Sequence, residues 1–71
     1  MATLVKSPLP GKVIEYWVKE GDSVMPGDIL VVVEAMKMHN EICADRAGTV
    51  SKLIAPENEY IPVNGDLLEL N

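Results

Sequence analysis

The chain has 71 residues, enough for one small domain and too few for a deep cleft with several catalytic groups and the shell to hold them. It is 48% apolar and 24% charged, which is globular composition, and its net charge of −5 with lysines spread singly argues against nucleic acid or anionic membrane as a partner. One cysteine, Cys43, builds no internal disulfide and no metal spacing; with no apolar run near 18 residues and no leader-like opening, a soluble cytoplasmic module is expected.

The predicted elements are short strands separated by turn residues. The first covers Thr3–Lys6 and ends at Ser7-Pro8-Leu9-Pro10-Gly11. The second covers Val13–Val18; those two valines stand an odd number of places apart, so a bulge is expected between them if both face the core. Gly21-Asp22 then leads into Ser23–Met25, and Pro26-Gly27-Asp28 into Ile29–Glu34. The remaining strands are expected at His39–Ala44, Thr49–Ile54, Tyr60–Pro62 and Leu67–Leu70, with turns at Arg46-Ala47-Gly48, Pro56-Glu57-Asn58 and Asn64-Gly65-Asp66. Five glycines and five prolines scattered at this interval leave no room for a helix of ordinary length. Eight such strands predict an all-β flattened barrel or sandwich.

The sequence also repeats itself. Slid 37 places, Pro10-Gly11-Lys12-Val13 falls on Ala47-Gly48-Thr49-Val50, Glu20 on Glu57 and Val24 on Ile61. With one residue inserted thereafter, Gly27-Asp28 meets Gly65-Asp66, and Leu30 meets Leu68. This predicts one domain over residues 1–71 with internal two-fold pseudo-symmetry, its halves near 10–30 and 47–68. The alignment also predicts facing. Leu68 and Leu70 should point inward, with Leu67 and Glu69 outward. By superposition Leu30 and Val32 would then point in, Glu34 would share their parity at the rim, and Ile29, Val31 and Val33 would form an outer apolar stripe, open to a partner or covered by Tyr16 or Trp17. Ile42 and Ala44 are expected inward, with Glu41, Cys43 and Asp45 outward.

Between the halves lies Glu34-Ala35-Met36-Lys37-Met38-His39, strand-like on both sides and without Gly, Pro or Asn at its middle. A tight hairpin there demands backbone angles that Met and Lys disfavour, and a local rule broken at one point is often a sign of function at that point. His39 and Cys43, though near each other in sequence, read as strand residues and not as metal ligands.

Glu34-Ala35-Met36-Lys37-Met38 resembles the attachment motif of biotinyl domains, the biotin carboxyl carrier family. The resemblance extends over almost the whole chain, through Pro-Gly-x-Val, the Gly-Asp pairs and Ala44-Asp45-Arg46-Ala47-Gly48-Thr49-Val50. It implies a flattened barrel of two four-stranded antiparallel sheets, the barrel-sandwich hybrid. It also implies a hairpin at 34–39 carrying biotin in amide linkage on Lys37, with Glu34, Ala35, Met36 and Met38 as flanking recognition residues. The family's "thumb" insertion is absent, which sets the chain apart from some bacterial acetyl-CoA carboxylase carriers.

An amine of ordinary lysine basicity, about 10.4, is nearly all protonated at neutral pH, so amide formation needs an enzyme that activates the biotin carboxyl. The partners that the resemblance implies are a biotin protein ligase, a biotin carboxylase, and a carboxyltransferase or decarboxylase, with a mitochondrial location if the chain was excised from a eukaryotic enzyme. The domain itself is expected to be a non-catalytic carrier, with no catalytic residue and no metal. Three other classes compete: a lipoyl domain, which usually has Asp-Lys at the tip; an acyl carrier protein, faintly suggested by Asp22-Ser23-Val24 but helical; and a structural barrel with no prosthetic group.

Overall fold

The structure, a computed structural model, describes residues 2–71, so Met1, the first residue of the expected domain, lies outside it. Eight strands follow in order: β1 (Thr3–Lys6), β2 (Gly11–Tyr16), β3 (Ser23–Val24), β4 (Ile29–Ala35), β5 (Met38–Cys43), β6 (Gly48–Leu53), β7 (Tyr60–Ile61) and β8 (Asp66–Leu70). They form two four-stranded antiparallel sheets, as the resemblance implies, and their strand orders are β1-β8-β6-β3 and β5-β4-β2-β7. The described residues contain no helix, and none that could cross a membrane.

A constant spacing of 37 residues governs the backbone. Gly21 N donates to Val50 O at 2.7 Å, and its counterpart Asn58 N donates to Val13 O at 2.6 Å. Val50 N donates to Asp22 O at 2.8 Å, and Val13 N donates to Glu59 O at 2.9 Å. Each half therefore closes its turn on a strand of the other, and the two cannot be pulled apart without breaking both. Side chains follow the same rule: Glu57 Oε2 accepts from Tyr16 N and Glu20 Oε2 from Leu53 N, each at 3.1 Å. The recurrence of glutamate at 20 and 57 thus has a cause, since both satisfy a strand-end amide that has no ladder partner.

The same spacing persists through Gly27, where the sequence alignment had inserted a residue. Gly27 N donates to Ala44 O at 2.8 Å, and the matching bond is Asn64 N to Ser7 O at 2.7 Å. Both donors sit at positive φ, 94° for Gly27 and 65° for Asn64. Gly27 therefore corresponds to Asn64, not to Gly65; asparagine tolerates the left-handed region well enough to replace glycine there. The shared Gly-Asp letters led the alignment one residue astray.

That slip inverts the expected facing of β4. Leu30 corresponds to Leu67, and both are bulge residues: Ile29 pairs with Cys43 and Val31 with Ile42, while Lys6 pairs with Asp66 and Val5 with Leu68. A bulge puts two consecutive residues on the same side. Leu30 and Val31 are both 0% exposed, as are Leu67 and Leu68. Three expectations are thereby corrected. Leu67 belongs to the core; Val31 and Val33 face inward; and Val32, with Glu34, faces outward. No stripe of Ile29, Val31 and Val33 exists on the outer surface. A further bulge lies at Ile14, where Val13 pairs with Val33 and Glu15 with Val32; Val13 is buried and Val18 packs on the core, as the odd spacing predicted.

Tyr16, turned inward by that bulge, joins the sheets. Its hydroxyl lies 2.5 Å from Ala55 O and 2.8 Å from Leu67 O. Burial pushes this phenol up to about 12, and the Glu57 carboxylate adds to the rise. Because the folded value lies above the unfolded one near 10, the neutral phenol's contribution is complete below about pH 10 and is lost as pH climbs through about 12. Tyr16→Phe is expected to cost about 1 kcal/mol at pH 8, since Leu67 O keeps its bonds from Ile54 N and Ala55 N. Urea midpoints of both proteins at pH 8 and pH 11 check this: the gap between them should narrow at the higher pH.

Candidate functional site

β4 and β5 pair up to Ala35 and Met38, leaving Met36 and Lys37 as a two-residue connection. Their φ angles are 54° and 63°, the left-handed pair that a tight hairpin matching the twist of its strands requires. Asn-Gly is the residue pair that adopts this turn cheaply; Met-Lys occupies it at a cost of order 1–3 kcal/mol per residue. Met36 is 93% exposed and Met38 68%, so neither fills the core. Among the described residues Lys37 forms no ion pair and no side-chain hydrogen bond. Lys6, by contrast, is bound to Asp66 at 2.8 Å, and Lys12 lies 6.0 Å from the centre of the Tyr60 ring.

The base of the hairpin is tightly built. Gly11 passes beneath Glu34 so closely that a Cβ there would overlap the Glu34 carbonyl oxygen and lie 2.9 Å from Val33 Cγ1. The side chain of Asn40 bridges to Met38 O at 3.1 Å and to Val33 O at 3.4 Å, bracing β5 just below the tip. Outside, a cross-strand row runs Tyr60, Lys12, Glu34, His39 over β7, β2, β4 and β5. Glu34 is half-buried in this row, with His39 Nε2 at 4.0 Å from Oε2. The tip stands far from the start of the chain: β5 leads away from it, and beyond its end Arg46 Nη1 reaches Thr3 Oγ1 at 3.4 Å.

All five residues singled out by the sequence, Glu34, Ala35, Met36, Lys37 and Met38, thus gather on one hairpin, with only Glu34 and Ala35 partly covered. Sequence reasoning missed Lys12 and Tyr60, which flank Glu34 through two further strands. The signal for Lys12 was available in Gly11, whose missing side chain marks where β2 meets the hairpin base. Cys43 is exposed on the outward side of β5, and no group of three His, Cys, Asp or Glu among the described residues could hold a metal ion.

The tip can do one kind of chemistry. It presents a primary amine on a braced backbone, with open space around it and no charge partner to lose. Acylating that amine would change the net charge from −5 to −6 without breaking any ion pair. The residues therefore fit a carboxylic acid prosthetic group held in amide linkage.

Comparison with known proteins agrees. Residues 3–70 match the family model described as "Biotin-requiring enzyme". The biotin carboxyl carrier protein of chloroplastic acetyl-CoA carboxylase from Glycine max is 38% identical over 65 residues, covering 92% of this chain and 24% of that protein. The gamma subunit of methylmalonyl-CoA decarboxylase from Veillonella parvula is 45% identical over 51 residues, covering 72% of this chain and 40% of that one. Among solved structures, a single-chain, multi-domain long-chain acyl-CoA carboxylase superposes with a TM-score of 0.93 at 27% identity, over 99% of this chain and 7% of that chain. The chain spans less than half the length of each of these relatives.

Proposed function

Since the chain belongs to the family of biotin-requiring enzymes, as a biotinyl domain of the biotin carboxyl carrier kind, we propose that residues 1–71 act as one carrier domain whose hairpin at 34–39 bears biotin on Lys37. The observation that carries this reading is the placing of Lys37 on an exposed two-residue turn of positive φ, unpaired, in a chain of that family. Held there by Lys37, biotin would supply a ureido nitrogen able to carry an activated carboxyl group between a biotin carboxylase and a carboxyltransferase or decarboxylase.

The chain's own part is positional. Lys37 supplies the amine, and a biotin protein ligase supplies the activated acyl group and takes the proton. The ligase must choose one of five lysines, and the turn offers a geometry that no strand lysine shares. Met36 and Met38, unbranched and polarizable, suit a surface read in turn by the ligase and by more than one enzyme. Glu34 and Ala35 hold the hairpin base in register. In this reading the domain acts as a tether: it raises the local concentration of the arm at each partner without tight docking.

Incubation with a biotin protein ligase, ATP and biotin, followed by intact-mass measurement and peptide mapping, tests this. One biotinyl increment is expected, mapped to Lys37. An increment on another lysine, or modification only by a lipoyl ligase, overturns it.

A further inference from the structure

The internal two-fold provides a comparison within one molecule. Positions 37 apart share a backbone, so differences between their side chains mark what one sheet is asked to do and the other is not. On the outer face of β1-β8-β6-β3, Lys52 pairs with Glu69, opposite charges side by side, as on an ordinary wet sheet. The equivalent positions on β5-β4-β2-β7 are Glu15 and Val32, and the row continues to Glu41. A valine only 5% exposed thus lies between two carboxylates, neither of which forms an ion pair among the described residues.

Beside this row stands Trp17, the sole tryptophan, 55% exposed. Its indole Nε1 donates to Glu15 Oε1 at 3.2 Å, which stands the ring next to the valine floor. Glu15, Trp17, Val32, His39, Asn40 and Glu41 line one shallow depression. The chemistry of that depression is specific: an indole, an apolar floor, and a carboxylate on either side. A guanidinium can stack on the indole and fork to a carboxylate at once, because its charge is planar and its donors lie in the plane. An ammonium can point at the ring or at a carboxylate but lacks the plane to do both.

We propose that the outer face of β5-β4-β2 around Trp17 is a docking surface for a protein partner that presents an arginine. Trp17 lies alongside Leu30, to whose carbonyl its amide is bonded at 2.9 Å. At about 3.3 Å per strand residue, that is roughly 20 Å down the sheet from Lys37. A partner held there grips the side of the barrel and leaves the tip free to extend. The net charge of −5 favours the approach of a basic surface. The carrier reading enters only in identifying the partner as an enzyme that works on the Lys37 arm; the contact itself needs no arm.

The test is an NMR titration of the ¹⁵N-labelled chain with end-blocked Gly-Arg-Gly, against Gly-Lys-Gly and Gly-Gln-Gly. Shifts are expected to concentrate on the Trp17 indole and on the amides of Glu15, Val32 and Glu41, with the lysine peptide at least threefold weaker and the glutamine peptide silent. Glu41→Gln, an exposed change on an edge strand, should weaken the arginine peptide by a further threefold or more. Equal response to arginine and lysine, shifts spread over acidic residues elsewhere, or indifference to Glu41→Gln overturns the proposal. Biotin incorporation into wild type and Glu41→Gln is measured in parallel. Its absence from both refutes the carrier reading while the peptide result stands; its loss in the variant alone identifies the ligase as a partner of this face.

Discussion

Lys37→Arg is expected to abolish biotin incorporation altogether, with no increment in intact mass under conditions that modify the parent to completion. Arginine keeps the positive charge and most of the length, but its delocalised guanidinium is not a nucleophile at neutral pH. Lys37 has no side-chain partner among the described residues, so the thermal midpoint should stay within about 2 °C of the parent, as surface substitutions usually do. A companion variant separates the lysine from the turn. Met36→Asn with Lys37→Gly installs the residue pair the turn prefers, and relief of the left-handed strain should stabilise the domain by about 1–2 kcal/mol while incorporation again falls to zero. A stabilised protein that has lost its modification would show that Met-Lys is kept at the tip against the interest of the fold. A companion variant no more stable than the parent would remove the argument from strain, whatever happened to the biotin.

The second large effect is expected at Gly11. An alanine there would drive its Cβ into the Glu34 carbonyl oxygen and against Val33 Cγ1, both held by the β2–β4 ladder, so β2 must move away from the hairpin base. Overpacking of this kind costs about 1–3 kcal/mol, and each kcal/mol lowers the midpoint by roughly 4–8 °C in a domain of this size. The two-fold again supplies the control. Gly48 occupies the equivalent place, but its Cβ would come no nearer than 3.0 Å to the carbonyl oxygen of Asn71 and 3.5 Å to Leu70 Cβ, a looser fit than at Gly11. Gly48→Ala should therefore cost less than half as much. Thermal melts of the two variants side by side decide the point. Equal losses would mean that the crowding under Glu34 is not what fixes glycine at position 11.

The expected strands lie where the structure has them because their ends are written in glycine, proline and asparagine, which act through the local backbone. The candidate site was legible for the same reason: Met36 and Lys37 break a local rule, and the violation shows in the letters alone. The facing of β4 was not legible. It depends on which residue of Gly27-Asp28-Ile29-Leu30 is the bulge, and the matching letters of Gly65-Asp66 pointed to the wrong one. The hydrogen bonds of Gly27 and Asn64, and the matching bulges at Leu30 and Leu67, show that the spacing of 37 carries through this turn.

The class of fold, the eight strands, the duplicated plan and the lysine between its halves could all be read from the letters, because they are properties of residues and their near neighbours. The pairing of strands distant in sequence settled which valines are core, set Glu34 in a row with Lys12 and His39, and brought Trp17 and Val32 into one depression with the carboxylates of Glu15 and Glu41. A bulge adds one residue to a ladder and reverses every side chain beyond it, and whether it falls at one position or the next is settled by pairing with a strand distant in sequence.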